Sequence, residues 1–259
     1  MSRFGNLEFG DEHEGRSRSG DQRAARDEAY FMSEARLAFE SGKFESALRH
    51  FSKVLEFNPQ NAAAWTGQVQ MLIELGEFGE ARLWADKALE RFPHEAELFA
   101  AKAVALARGG DLQGAMAFSD SSIEERGDSP YLWLARGDVL LARKEARADY
   151  CFEKAQALAP NDWVIAWLIG RVRYYYEQFS LALKAIQQAV ELNATHFVLW
   201  LELGRCQQAL GLIGPATNSY TQARQLRADC HEATIALGKL SHAGFGARLA
   251  GWWRRLFKS

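Results

Sequence analysis

The chain has 259 residues, 48% hydrophobic and 25% charged, with a formal net charge of −2. That balance is ordinary for a globular protein and gives no electrostatic reason to expect nucleic acid. Its three cysteines, Cys151, Cys206 and Cys230, are odd in number and far apart, which argues against a disulfide framework and for a reducing compartment. No stretch approaches the roughly 20 apolar residues that cross a bilayer, and the first residues lack the apolar core of a signal peptide. The expected location is cytoplasmic.

Residues 1–27 read as a disordered leader. Its apolar residues have no helical period, although Phe4, Leu7 and Phe9 form a small cluster that suits a docking motif. From Glu28 a unit of two short helices begins to repeat. The clearest copy is Ala62–Glu95. There Trp65, Val69, Leu72 and Ile73 stand at helical spacing, Gly76 fits a helix C-cap, and Pro93 ends the second helix. The alanine opening each second helix is Ala47, Ala81, Ala115, Ala148, Ala182 and Ala216, in steps of 34, 34, 33, 34 and 34. A small residue also recurs in each first helix as Ala35, Ala103, Gly137, Gly170, Gly204 and Gly238, with Val69 the exception. The turn glycine is Gly42, Gly76, Gly110 and Gly211, but the fourth turn reads Arg-Lys-Glu-Ala and the fifth carries Glu177. The fourth copy is one residue short, as a deletion in an exposed turn permits.

This pattern resembles the tetratricopeptide repeat. The resemblance covers residues 28–243: six units over 28–230, then a partial first helix, 231–243, that caps the array. It implies an all-α, right-handed superhelical solenoid in which each repeat packs on its neighbours. It also implies a concave groove lined by first helices, where such proteins bind peptides or other proteins. Some members grip a chaperone's C-terminal carboxylate with Lys and Asn side chains. The matching positions here are Met32, Arg36, Gly67, Glu97 and Ala101, so that clamp is not expected.

With the first residue of each unit counted as position 1, positions 2, 5, 9, 12 and 13 of the first helices are expected to face the groove. The candidate partner-binding residues are Arg36, Arg108, Tyr131, Trp167, Arg171, Tyr174, Tyr175 and Arg205. Aromatics and arginine dominate binding hot spots, and the fifth unit concentrates them. Arg171 and Arg205, one repeat apart on the same face, could hold a partner carboxylate between them. The competing reading packs the aromatics between repeats and leaves the arginines solvated. Packing is the preferred reading for Trp163 and Tyr176.

No catalytic residue, metal site or cofactor is expected. The six histidines are scattered, none at metal-ligand spacing, and no glycine loop precedes a Lys-Ser/Thr pair. Nucleic acid and small-molecule substrates are likewise not expected.

Residues 244–259 belong to none of these six units. On a helical wheel Phe245, Leu249, Trp252, Trp253, Leu256 and Phe257 fall on one arc, with Arg248, Arg254, Arg255 and Lys258 opposite. This segregation suits a basic amphipathic helix in an anionic membrane surface, and the segment resembles bacterial membrane-targeting tails. At 16 residues its helix would reach only about 24 Å, too short to span. Docking in a partner's groove ranks second, and folding back to cap the array third. The whole reads as a non-enzymatic scaffold or adaptor, peripheral on the inner membrane face through its tail. A chaperone or assembly factor holding client peptides, or an accessory subunit of an enzyme, are the alternatives.

Overall fold

A computed structural model describes residues 27–125 and 128–241. The leader up to residue 26 and the tail after residue 241 lie outside the described residues. Among those described, every regular element is helical: α1 (Glu28–Glu40), α2 (Phe44–Phe57), α3 (Ala62–Glu74), α4 (Phe78–Arg91), α5 (Ala96–Arg108), α6 (Leu112–Glu124), α7 (Pro130–Ala142), α8 (Ala148–Leu158), α9 (Trp163–Tyr175), α10 (Phe179–Leu192), α11 (Phe197–Ala209) and α12 (Ile213–Leu226). A further helix, α13, runs over residues 231–241. The all-α, helical-repeat class read from the sequence is the class observed. The chain divides into two compact units between Leu158 and Ala159, α1–α8 and α9–α13.

Several helices begin at a side-chain cap. Asp27, expected to close the leader, instead caps α1, accepting the Tyr30 N–H at 2.9 Å. Asn61, Asp111 and Asp162 do the same for α3, α6 and α9. Each such oxygen satisfies a donor that the first helical turn leaves unpaired.

The inter-helix turns share one geometry. A left-handed residue follows each odd-numbered helix from α1 to α11: Gly42, Gly76, Gly110, Lys144, Glu177 and Gly211. Its N–H bonds the carbonyl three residues back, and the next N–H bonds the carbonyl five residues back. The pairs Gly42–Phe39 and Lys43–Ala38 are repeated as Lys144–Leu141 and Glu145–Leu140, and as Glu177–Tyr174 and Gln178–Arg173. This closure satisfies two otherwise orphaned carbonyls. The turns lacking glycine therefore keep the turn and adopt its strained conformation.

The missing residue of the fourth copy is lost after this closure. In the other five repeats the alanine opening the second helix bonds a carbonyl four residues back; Ala148 bonds Glu145, three back, at 3.2 Å. The tighter turn absorbs the deletion, and α8 is correspondingly short, 11 residues. Glu145 braces it, bonding Arg143 and Arg147 at 2.6 Å each. Those two hydrogen bonds hold the Glu145 carboxyl below its ordinary range.

Within a repeat, the helices close on a small residue at position 8 of the first helix. Phe152 presses on Gly137, Ile186 on Gly170 and Tyr220 on Gly204, so that a Cβ at any of the three glycines would collide. Between repeats, positions 3 and 10 do the packing. Ala64 and Met71, Leu98 and Ala105, Leu132 and Val139, and Leu199 and Cys206 are all buried. On α1, the first described helix, the matching Tyr30 and Leu37 are 39% and 55% exposed.

A non-glycine residue in the left-handed region costs about 1–2 kcal/mol, against a smaller entropic cost for glycine. Lys144→Gly and Glu177→Gly are therefore expected to stabilise the fold by about 0.5–1 kcal/mol each. Chemical denaturation of the single variants checks this; a loss of stability would show that the strain is already relieved.

Candidate partner-binding surface

First helices line one side of each unit. In the first unit α3 packs on α5 and α5 on α7; in the second, α9 contacts α11. The side chains at their groove positions decide what each face can do.

In the first unit, Arg36 is exposed and pairs with Glu40 one turn on, at 2.8 Å. Tyr131 is half-buried, packed against the unit's core. Burial pushes its phenol far above the ordinary range, the Glu97, Asp138 and Glu74 carboxylates add to the rise, and a hydrogen bond with Gln70 opposes it. Tyr131 is thus a neutral hydroxyl among carboxylates. Arg108 is occupied differently. Its Nη2 and Nε both reach Asp138 Oδ2, at 2.6 and 3.1 Å, with the two side chains only 6% and 3% exposed. This pair ties α5 to α7, so Arg108 is a cross-repeat strut and presents little surface to a partner.

The second unit carries the arginine pair, and its geometry supplies what the sequence did not show. Glu202 Oε1 accepts from Arg171 Nη1 at 2.8 Å and from Arg205 Nη1 at 2.9 Å. The carboxylate between the two arginines is the chain's own. Arg171 also lies over the Trp167 ring, 5.4 Å from its centroid. Trp167 is fully buried, so the expectation that it meets a partner is corrected: its ring supports Arg171 from below. Trp163 packs against Trp167 and His196 at centroid distances of 6.0 and 4.5 Å. Tyr174 is half-buried with its ring edge on Phe179; burial raises its phenol, with Cys206 and Glu202 adding to the rise. Tyr175 is exposed, and the Arg205 side chain is 40% exposed. The accessible part of this face is therefore Tyr175 and Arg205, backed by Arg171 and Tyr174.

Other expected groove positions are filled by packing. Position 5 holds Thr66, Leu134 and Leu201, all buried. Neither Glu202 nor the pairing of Arg108 with Asp138 was expected from the sequence. A signal existed: opposite charges 30 and 31 residues apart on successive first helices. One repeat less three or four residues is the spacing that brings adjacent first helices side by side.

Burial raises all three thiols, Cys206 to about 12, so none offers a thiolate at neutral pH. Among the described residues no cluster of His, Cys, Asp or Glu could hold a metal ion, and no helix is long and apolar enough to cross a membrane.

Helix pairs closed by a common turn and stacked through their first helices form the tetratricopeptide-repeat fold. Residues 32–96 match the tetratricopeptide repeat family. Among solved structures, a tetratricopeptide repeat protein from Parabacteroides merdae is similar with a TM-score of 0.53 at 16% identity, over 85% of this chain and 86% of that one. A tetratricopeptide protein from Thermus thermophilus is similar at 0.50 and 16%, over 82% and 98%. A chain of the APC/C hetero-tetramer Cut9-Hcn1 is similar at 0.50 and 17%, over 84% of this chain; the present chain spans 44% of its length. No curated protein matches the chain by sequence.

Removing one member of a buried ion pair costs about 3–5 kcal/mol, whereas apolar replacement of both is often neutral. Arg108→Ala is expected to fall in that range and Arg108→Met with Asp138→Leu to stay close to the parent. Urea titration of the two variants tests it; equal losses would show that the pair holds α5 to α7 by more than its charge.

Proposed function

We propose that this protein is a non-enzymatic scaffold that captures a protein partner on the first-helix face of its second unit. The supporting observation is the arrangement of Tyr175 and Arg205 beside the Arg171–Glu202 pair. It offers an exposed aromatic ring and a partly exposed guanidinium, on a rigid helical base. Such residues supply large contact area and directional donors at little entropic cost. Two cations share one carboxylate here, so the cluster keeps a net positive charge and suits a partner segment bearing a carboxylate. Arg36 and Tyr131, on the first unit, offer a second and more acidic contact region.

The tail completes the proposal. Leu249, Trp252, Trp253, Leu256 and Phe257 would enter an anionic membrane surface, while Arg254, Arg255 and Lys258 meet its headgroups. The captured partner would thereby be tethered to the inner face of a membrane.

Affinity capture from cell extract with the 259-residue chain, and with Arg205→Ala plus Tyr175→Ala, tests the first claim. The double variant is expected to retain its helicity and lose at least about 2 kcal/mol of partner affinity, as hot-spot truncation does; unchanged capture would refute the site. Co-sedimentation with anionic vesicles, with and without Trp252→Ala and Trp253→Ala, tests the tether.

A further inference from the structure

The last described helix, α13, stands where a first helix of a further repeat would stand. Ala233 and Leu240, at positions 3 and 10 of α13, are buried, and Ala236 and Leu237 pack on the core formed with α11 and α12. The opposite side stays open. Position 8 is buried in every preceding repeat, as Ala35, Val69, Ala103, Gly137, Gly170 and Gly204; on α13 it is Gly238, only half-buried. A Cβ at Gly238 would meet no described atom within 4 Å, whereas at the other three glycines it would strike Phe152, Ile186 or Tyr220. Ile235, at position 5, which is buried in the second to sixth repeats, is 58% exposed. Thr234 stands at position 4, where Trp65, Trp133 and Trp200 stand in other repeats.

The chain beyond α13 has the right pattern to fill this notch. Phe152 follows its glycine by 15 residues in the shortened fourth repeat, and Ile186 and Tyr220 follow theirs by 16. Counted as in the shortened repeat, the residue after Gly238 that takes this place is Trp253. The fillers also belong to a recurring quartet. The buried residues of α8 are Ala148, Cys151, Phe152 and Ala155; those of α10 are Ala182, Ala185, Ile186 and Ala189; those of α12 are Ala216, Ser219, Tyr220 and Ala223. The same spacing of three, one and three residues gives Leu249, Trp252, Trp253 and Leu256. These side chains are larger than the quartets they match, and Thr234 with Gly238 leaves more room than a tryptophan would. Gly244 and Gly246 bracket the place, seven residues after position 8, where each earlier repeat puts its left-handed residue.

We infer that residues 247–257 dock on α13 as the second helix of a seventh repeat, with Trp253 seated over Gly238. Docking hides the apolar arc that would enter a membrane. The docked form and the membrane-bound form then exclude each other, and the tail becomes a latch: closed on the array, or released to a surface.

Hydrogen exchange of the 259-residue chain without lipid tests the docking, with the free peptide 244–259 as reference. Tail amides in the chain are expected to exchange at least about a hundredfold more slowly than in the peptide. Gly238→Leu fills the notch without altering the tail and is expected to remove at least about tenfold of that protection, as is Trp253→Ala. Exchange in the chain as fast as in the free peptide, or protection untouched by Gly238→Leu, would overturn the inference. Vesicles of phosphatidylserine and phosphatidylcholine test the exclusion. Gly238→Leu should bind them several-fold more tightly than the parent, and equal binding would overturn the latch. If neither protein binds vesicles, the tether proposed above fails and so does the latch, while tail protection still decides whether the seventh repeat closes.

Discussion

Two helices can run side by side only as closely as the smallest residue between them allows. That constraint governs this molecule. Where α7, α9 and α11 carry glycine at position 8, a bulky side chain from the following helix lies against the bare backbone. The resulting crossing buries Ala182 and Ala189 of α10, with Ile186 between them. Remove the small residue and the quartet loses its seat. The stacking of one repeat on the next rests on the same pairing, because positions 3 and 10 reach the preceding repeat only when the first helix is held in place.

Packing settles the shape, and charge then settles what the inner faces have left to offer. Arginines that looked available are tied to neighbouring repeats, Arg108 to Asp138 and Arg171 to Glu202. The two ties differ in kind. The first is almost wholly buried and serves cohesion. The second leaves Arg205 partly in solvent, so the carboxylate that ties the two repeats also holds an accessible guanidinium. Glu202 sets both the orientation of the two arginines and the charge they present.

The helices and their phase were legible because the repeat restates them. One copy is ambiguous; the steps between Ala47, Ala81, Ala115 and their successors are not. The six turns were only partly legible. Lys144 and Glu177 adopt the left-handed form because the closing hydrogen bonds outweigh the local strain, and no residue preference announces that. The inner faces were least legible. Helical position 5 looks like groove on a single wheel, yet Trp167 and Leu134 there are covered by packing. Pairing of side chains from different repeats, such as Arg171 with Glu202, depends on inter-repeat distance, which a wheel drawn for one helix does not contain.

The shortened fourth repeat carries a lesson about where this architecture tolerates change. Its missing residue falls between the turn closure and Ala148, so the hydrogen bonds ending α7 are the same as in its sister repeats. The first helix keeps its phase, and Tyr131 and Asp138 keep their places on the inner face. The whole adjustment falls on the entry to the second helix. The change in length thus falls on the second helix, and the Arg108–Asp138 pair between first helices is left in place. Residues can be lost on the second-helix side of a repeat while the first-helix side keeps its contacts.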